Sequence, residues 1–139
     1  MRTLIFWLCL SCSFFSIAEH NRVQVTVNNQ TLTLELAKTP EERALGLQHR
    51  KSLCDNCGMV FMFEQSRKVG FWMINTTIPL DIAYVDQDGT IRTIKPLQPL
   101  DDTSVSSDVA VKYAWEMNQG WFANNNVVVG DKVTFVTIE

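Results

Sequence analysis

The chain has 139 residues, 46% of them hydrophobic and 19% charged, with a formal net charge of −3. That length suits one domain with a real core and is short for two. No block of basic residues is present, which makes nucleic acid and anionic membrane poor partners.

The chain opens on a short positive region at Arg2, an apolar run from Leu4 to Phe15, and small residues at Ser16 and Ala18. This tripartite pattern predicts a signal peptide over residues 1–18, cleaved after Ala18, and a periplasmic or secreted domain over residues 19–139. The apolar run falls short of the roughly 18–20 residues that cross a bilayer, so no membrane span is expected after cleavage. A lipoprotein form through Cys12 is the alternative, with Cys9 standing where such a signal normally carries leucine. Arg2, Cys9 and Cys12 would leave with the leader. The mature chain would then carry 11 basic and 15 acidic residues, a net charge of −4, and two cysteines, Cys54 and Cys57.

Val23, Val25 and Val27 alternate with polar residues, which predicts a strand over 22–27. Asn28-Asn29-Gln30 is turn chemistry, and Leu32, Leu34 and Leu36 then alternate again, making a hairpin. Thr39-Pro40-Glu41-Glu42 combines a cap, a proline at the first helical position and the glutamate of a capping box. The helix it opens is short, because Gly46 can cap its end within two turns. Residues 48–57 are polar and irregular. Strands are predicted over 58–63 and 70–75, joined by a charged loop over 64–69, and again over 80–86. A hairpin turn at Asp86–Gly89 leads into a returning strand over 90–95, stopped by Pro96 and Pro99. Residues 100–108 form an acidic, serine-rich loop, 109–118 a strand, and 120–126 hold one helical turn. Residues 127–129 and 132–138 are read as a closing hairpin. These elements predict an α+β chain that is predominantly β: a compact, mainly antiparallel curled sheet or barrel-like sandwich with one or two short helices.

Polar residues set into apolar strands are the candidates for chemistry. Period two places Phe71, Met73 and Asn75 on one face and Trp72 and Ile74 on the other. Asp81 shares a face with Ala83 and Val85, and Glu116 shares one with Ala114 and Asn118. A buried carboxylate needs a partner or takes up a proton. Arg43 and Arg50 are the candidate partners, since a guanidinium fork matches a carboxylate. The same residues fit a structural ion-pair network equally well.

Cys54-Asp55-Asn56-Cys57 is a CxxC followed by a strand. Without a helix N-terminus to lower a thiol pKa, a local disulfide is favoured over redox catalysis. Two cysteines are also a weak zinc signal. Met59, Met62, Met73, Met117 and His49 could be written as a soft copper set, but methionines in apolar strands are usually core filler. No metal or cofactor is therefore expected. Asp81 with Glu116 could serve a glycosidase-like mechanism, although no motif supports it. Trp72, Trp115 and Trp121 could floor a ring site, with core packing the plainer reading.

Thr39–Arg43, Gly46–Arg50, Gly58–Phe61, Phe71–Thr76, Pro79–Ile82, Trp115–Asn118 with Gly120, and Gly130-Asp131 together resemble a domain-of-unknown-function family, number 192. The resemblance runs in order along nearly the whole mature chain. It implies a small, often exported, β-rich single domain with no settled activity. It places signature positions on Arg43, Gly46, Arg50, Gly58, Met59, Trp72, Met73, Asn75, Asp81, Glu116 and Gly120. Leu47-Gln48 stands where many members have Leu-Met.

The sequence thus points to a monomeric binding or accessory module. Its cleft would be rimmed by Arg43, Arg50, Asn75, Asp81 and Glu116, with Trp72 and Met73 at the wall, and would take a small polar ligand or a peptide segment. Arg50 is expected to line open cleft, where water screens its charge. The rival readings are a hydrolase or lyase using Asp81 and Glu116 as acid and base, and a structural protein whose polar set only ties the fold together.

Overall fold

The computed structural model describes residues 21–138. The expected leader, with Cys9 and Cys12, lies outside the described residues.

Nine strands and two short helices follow in the order β1 (Arg22–Val27), β2 (Gln30–Ala37), α1 (Pro40–Leu45), β3 (Gly58–Arg67), β4 (Gly70–Phe71), β5 (Leu80–Val85), β6 (Ile91–Leu97), β7 (Val105–Ser106), β8 (Val111–Asn118), α2 (Trp121–Asn124) and β9 (Val133–Ile138). Seven strands make one sheet in the order β6-β5-β8-β3-β2-β1-β9, and β4 pairs with β7 apart from it. Neighbours are antiparallel except β2 and β3, which run parallel because α1 and its following loop carry the chain back between them. The main sheet is therefore mixed. It curls until the start of β6 meets the approach to β9: Thr90 bridges Lys132, and the Val133 N–H donates to the Gly89 carbonyl at 2.7 Å. The sheet does not close into a barrel.

The curl gives the sheet two unlike faces. Its concave face gathers one core from all seven strands, including Val25, Leu34, Val60, Val85, Trp115 and Val133, and α2 plugs it with Trp121 and Phe122. A second core lies on the convex face of β3, β5 and β8. It joins Phe61, Phe63, Ile82, Tyr84 and Ala114 to Leu47, Met73 and Ile78 from the covering segments. Period two decides the face of each residue, so adjacent residues on β3 serve opposite cores: Met59 and Phe61 the convex one, Val60 and Met62 the concave one.

The first hairpin and α1 form as their local chemistry dictates. The Glu42 N–H donates to Thr39 Oγ1 at 3.1 Å, and Glu42 Oε2 accepts from the Thr39 N–H at 3.0 Å, completing the capping box. Gly46 ends the helix at φ 50°. Gly58 is required by proximity: a Cβ there would lie 2.3 Å from the Glu116 carbonyl oxygen and 2.4 Å from Met117 Sδ. β3 and β8 can pair at this point because glycine has no side chain.

Four expectations are corrected. The charged stretch after Phe63 is the exposed continuation of β3 to Arg67, with an irregular register against β8. The apolar run from Trp72 to Thr76 is a turn rather than a strand. The Thr76 N–H donates to the Met73 carbonyl, the Met73 N–H donates to the Asp101 carbonyl, and the segment lies across the convex face as a cover. Pro96 does not stop β6 but lies inside it, tolerated because β6 is an edge strand. Residues 127–129 are irregular, and β9 pairs with β1 instead of with them.

Candidate functional site

A cleft of about 700 Å³ opens on the convex face, between α1 with its C-terminal loop and the segment over residues 67–76. Its floor is aromatic. Phe61 and Phe63 come up from β3, and Phe71 meets both edge-on, with ring centroids at 4.8 and 6.5 Å. Leu47 and Met73 complete the apolar lining, and Met73 is 2% exposed. Leu45, Trp72 and Ile74 stand at the mouth and remain 57%, 57% and 40% exposed. Three large apolar side chains exposed around one opening form a patch, which is more informative than the same residues scattered over the surface.

Three cations share this cleft: Arg43 from α1, and Arg67 and Lys68 from the end of β3. Arg43 donates to the backbone carbonyls of Lys38 at 2.6 Å and Met62 at 2.9 Å. Both Arg43 and Arg67 lie over the ring of Phe63, 5.3 and 5.1 Å from its centroid. None of the three forms an ion pair with a carboxylate among the described residues.

Glu116 lies at the base. It is in the middle of β8, opposite Met59 of β3 and Ile82 of β5, and is 4% exposed. Its side chain reaches the cleft and has no hydrogen-bond or ion-pair partner among the described residues. The nearby hydroxyls are spent elsewhere. Tyr84 donates to the Val105 carbonyl at 2.6 Å, and Thr76 is directed to the Ile74 carbonyl at 3.5 Å. Burial pushes the Glu116 carboxyl up to about 8, so at neutral pH it is mostly protonated and carries an O–H. The Tyr84 hydroxyl is raised as well, by burial first, then by the negative charges of Glu116 and Asp108.

The sequence-derived site residues divide into groups. Arg43, Trp72, Met73 and Glu116 meet in the cleft. Asp81 is on the other face of the sheet: its register partner is Met117, a concave-core residue, whereas Glu116 is paired with Ile82 on the convex side. Asp81 Oδ2 accepts from the Gly120 N–H at 2.8 Å and so fixes the turn into α2. Arg50 makes a half-buried bidentate ion pair with Glu35, at 2.5 and 2.7 Å, and does not line the cleft. That hydrogen bonding raises the Arg50 pKa against the opposing effect of burial. The expectation of a water-screened Arg50 is corrected accordingly. Asn75 is exposed outside the cleft, at φ 57°, a left-handed conformation that asparagine tolerates. Its Nδ2 reaches Gln48 Oε1 at 3.5 Å.

Cys54 and Cys57 form a disulfide across a turn in which the Cys57 N–H donates to the Cys54 carbonyl. The loop is anchored by Asn118 Nδ2, which donates to the Leu53 and Cys54 carbonyls. The methionines do not converge, since Met59 and Met73 belong to the convex core and Met117 to the concave one. Among the described residues no three His, Cys, Asp or Glu side chains gather as a metal site. Trp115 and Trp121 pack in the concave core.

The family model for DUF192, Uncharacterized ACR, matches residues 23–135, nearly all of the described chain. The chain belongs to the DUF192 family. Two crystal structures resemble this DUF192 chain closely. One, from Sinorhizobium meliloti 1021, is of a candidate transcription regulator; it shares 35% identity at a TM-score of 0.76, covering 83% of this chain and 92% of that one. The other, a protein of unknown function from Novosphingobium aromaticivorans DSM 12444, shares 35% identity at a TM-score of 0.74, covering 81% of this chain and 83% of that one. No curated protein matches the chain.

Proposed function

We propose that this DUF192 protein is an exported binding module whose convex-face cleft takes a small ligand with both an apolar and a polar part. One observation carries the reading. Glu116, 4% exposed, lines the base of a cleft of about 700 Å³ and has no protein partner among the described residues. A buried carboxyl left unsatisfied costs free energy, and a ligand that supplies the missing hydrogen bond recovers it. An apolar floor with a few convergent polar groups is the usual make-up of a small-molecule site. Export rests on the leader pattern of residues 1–18 and is supported by the Cys54–Cys57 disulfide, which suits an oxidising compartment.

A peptide segment is the second reading, favoured by the exposed Leu45, Trp72 and Ile74 at the mouth. The acid–base pairing of Asp81 with Glu116 is set aside, because the two lie on opposite faces of the sheet and cannot reach one substrate. A nucleic-acid role, raised by the description of the Sinorhizobium protein, is disfavoured by the net charge of −3 and the lack of a basic block.

The test is native mass spectrometry of gently purified protein, followed by a thermal-shift screen of fragments of mixed charge. Compounds that raise Tm should lose their effect in Trp72→Ala. A screen in which no compound raises Tm in a Trp72-dependent way would contradict the reading.

A further inference from the structure

Resting on the binding cleft just proposed, we infer the class of its ligand: a small amphipathic carboxylate. Its carboxylate is held at the mouth by Arg43, Arg67 and Lys68, its apolar body lies on Phe61, Phe63 and Phe71, and an uncharged oxygen at its far end accepts a hydrogen bond from Glu116.

The polarity follows from what each end of the cleft lacks. At the mouth are three cations without carboxylate partners among the described residues, two of them stacked on Phe63. Arg67 and Lys68 are exposed, so an incoming anion can reach both. Together they set a positive field over the entrance, which attracts anions and repels ammonium groups. The middle is apolar and aromatic. At the base, Glu116 is paired in register with Met59 and Ile82 and shares the cleft lining with Phe61, Leu47 and Met73. Among the described residues no side-chain donor is bonded to it, and Tyr84 and Thr76 are turned to backbone carbonyls. In such surroundings a carboxyl is held neutral and presents a donor rather than a charge. What is missing there is an acceptor, and a carbonyl or ether oxygen supplies one without bringing a second charge into the core.

This arrangement makes binding sensitive to pH in one direction. Among the described residues, the charged groups that line the cleft with Glu116 are Arg43 on α1 and Arg67 and Lys68 on the far wall, and Tyr84 on β5 is coupled to Glu116 electrostatically. When Glu116 ionises, the donor is lost and a negative charge appears beneath an anionic ligand. Affinity should therefore fall as pH rises past about 8.

The probes are two keto acids of different length, 4-acetylbenzoate and 8-oxononanoate, with three matched controls. 4-Isopropylbenzoate lacks the acceptor, 4-acetylbenzamide lacks the charge, and 4-acetylbenzylamine reverses it. Each is titrated calorimetrically into the wild-type protein near pH 6.5 and near pH 9.5. At the lower pH at least one keto acid should bind about tenfold or more tighter than every control. That advantage should shrink about tenfold or more at the higher pH. Glu116→Gln, whose amide still donates, should bind at both pH values without the pH dependence. Arg67→Ala/Lys68→Ala should weaken the keto acids and leave the amide probe unchanged. If the amine binds best, or affinity rises with pH, Glu116 is ionised and pairs a cation, and the proposal is wrong. If the amide or the amine binds in the cleft while neither keto acid does, the carboxylate assignment falls and the binding cleft stands. If nothing binds, both fall.

Discussion

Replacing Glu116 by glutamine isolates the buried carboxyl at the base of the cleft. Burial raises its pKa from an ordinary 4.5 to about 8. Below pH 4.5 the group is protonated in both folded and unfolded chains, and its contribution to stability is fully present. Between pH 4.5 and about 8 the unfolded chain releases this proton while the folded chain keeps it, so stability falls as pH rises. Each pKa unit corresponds to about 1.4 kcal/mol, which makes the full loss on the order of 5 kcal/mol. Above about pH 8 the folded chain ionises as well and the loss levels off. Glutamine keeps the shape and does not titrate. Urea unfolding of wild type and Glu116→Gln, in steps from about pH 5 to about pH 9, gives a difference curve free of every other titrating group. The variant should gain on the wild type by a few kcal/mol across that window. Two parallel curves, offset but with the same pH dependence, would mean that Glu116 is already charged and partnered in the folded chain.

Arg50→Ala breaks a half-buried bidentate pair with Glu35 and should cost about 1.5–3 kcal/mol in urea unfolding, with ligand binding unchanged; a loss of binding without a loss of stability would return Arg50 to the site. Gly58→Ala drives a Cβ into the Glu116 carbonyl and Met117, and should cost about 3 kcal/mol, the upper end of the overpacking range; a neutral result by thermal melting would mean that β3 and β8 can part without penalty. Cys54→Ser/Cys57→Ser opens a loop of only four residues, for which loop-closure entropy gives about 2 kcal/mol. The double variant should still fold, with a modestly lower Tm, and an unfolded product by circular dichroism would show that the bridge carries far more than loop closure.

What was legible in the sequence was local. The first hairpin and the capping box of α1 are written in neighbouring residues, and the structure repeats them. The burial of Glu116 follows from its place among Ala114, Trp115 and Met117. The separation of Asp81 from Glu116 was half legible. Period two gives each residue its face within its own strand, but only the register of β5 against β8 tells which faces coincide. The Arg50–Glu35 pair was hidden for the same reason: it joins a loop to β2 across 15 positions. The far wall of the cleft was not legible. Phe71 to Thr76 has the composition of a strand, yet it turns over the convex face, where its backbone is bonded to the loop carrying Asp101. Arg67 and Lys68 were not legible as site residues because a charged stretch between two apolar runs has the composition of a solvated loop. The signal that could have marked them is the spacing of Phe61, Phe63 and Arg67, which share one side of a long strand.

The most direct measurement of the central claim is a fragment titration followed by NMR of methionine methyl and tryptophan indole signals. Met73 and Trp72 belong to the cleft on the convex face, whereas Met117 and Trp121 belong to the concave core. The account predicts that binding fragments shift Met73 and Trp72 and leave Met117 and Trp121 in place. Fragments that shift only Met117 and Trp121, or a library that moves neither pair, would contradict it.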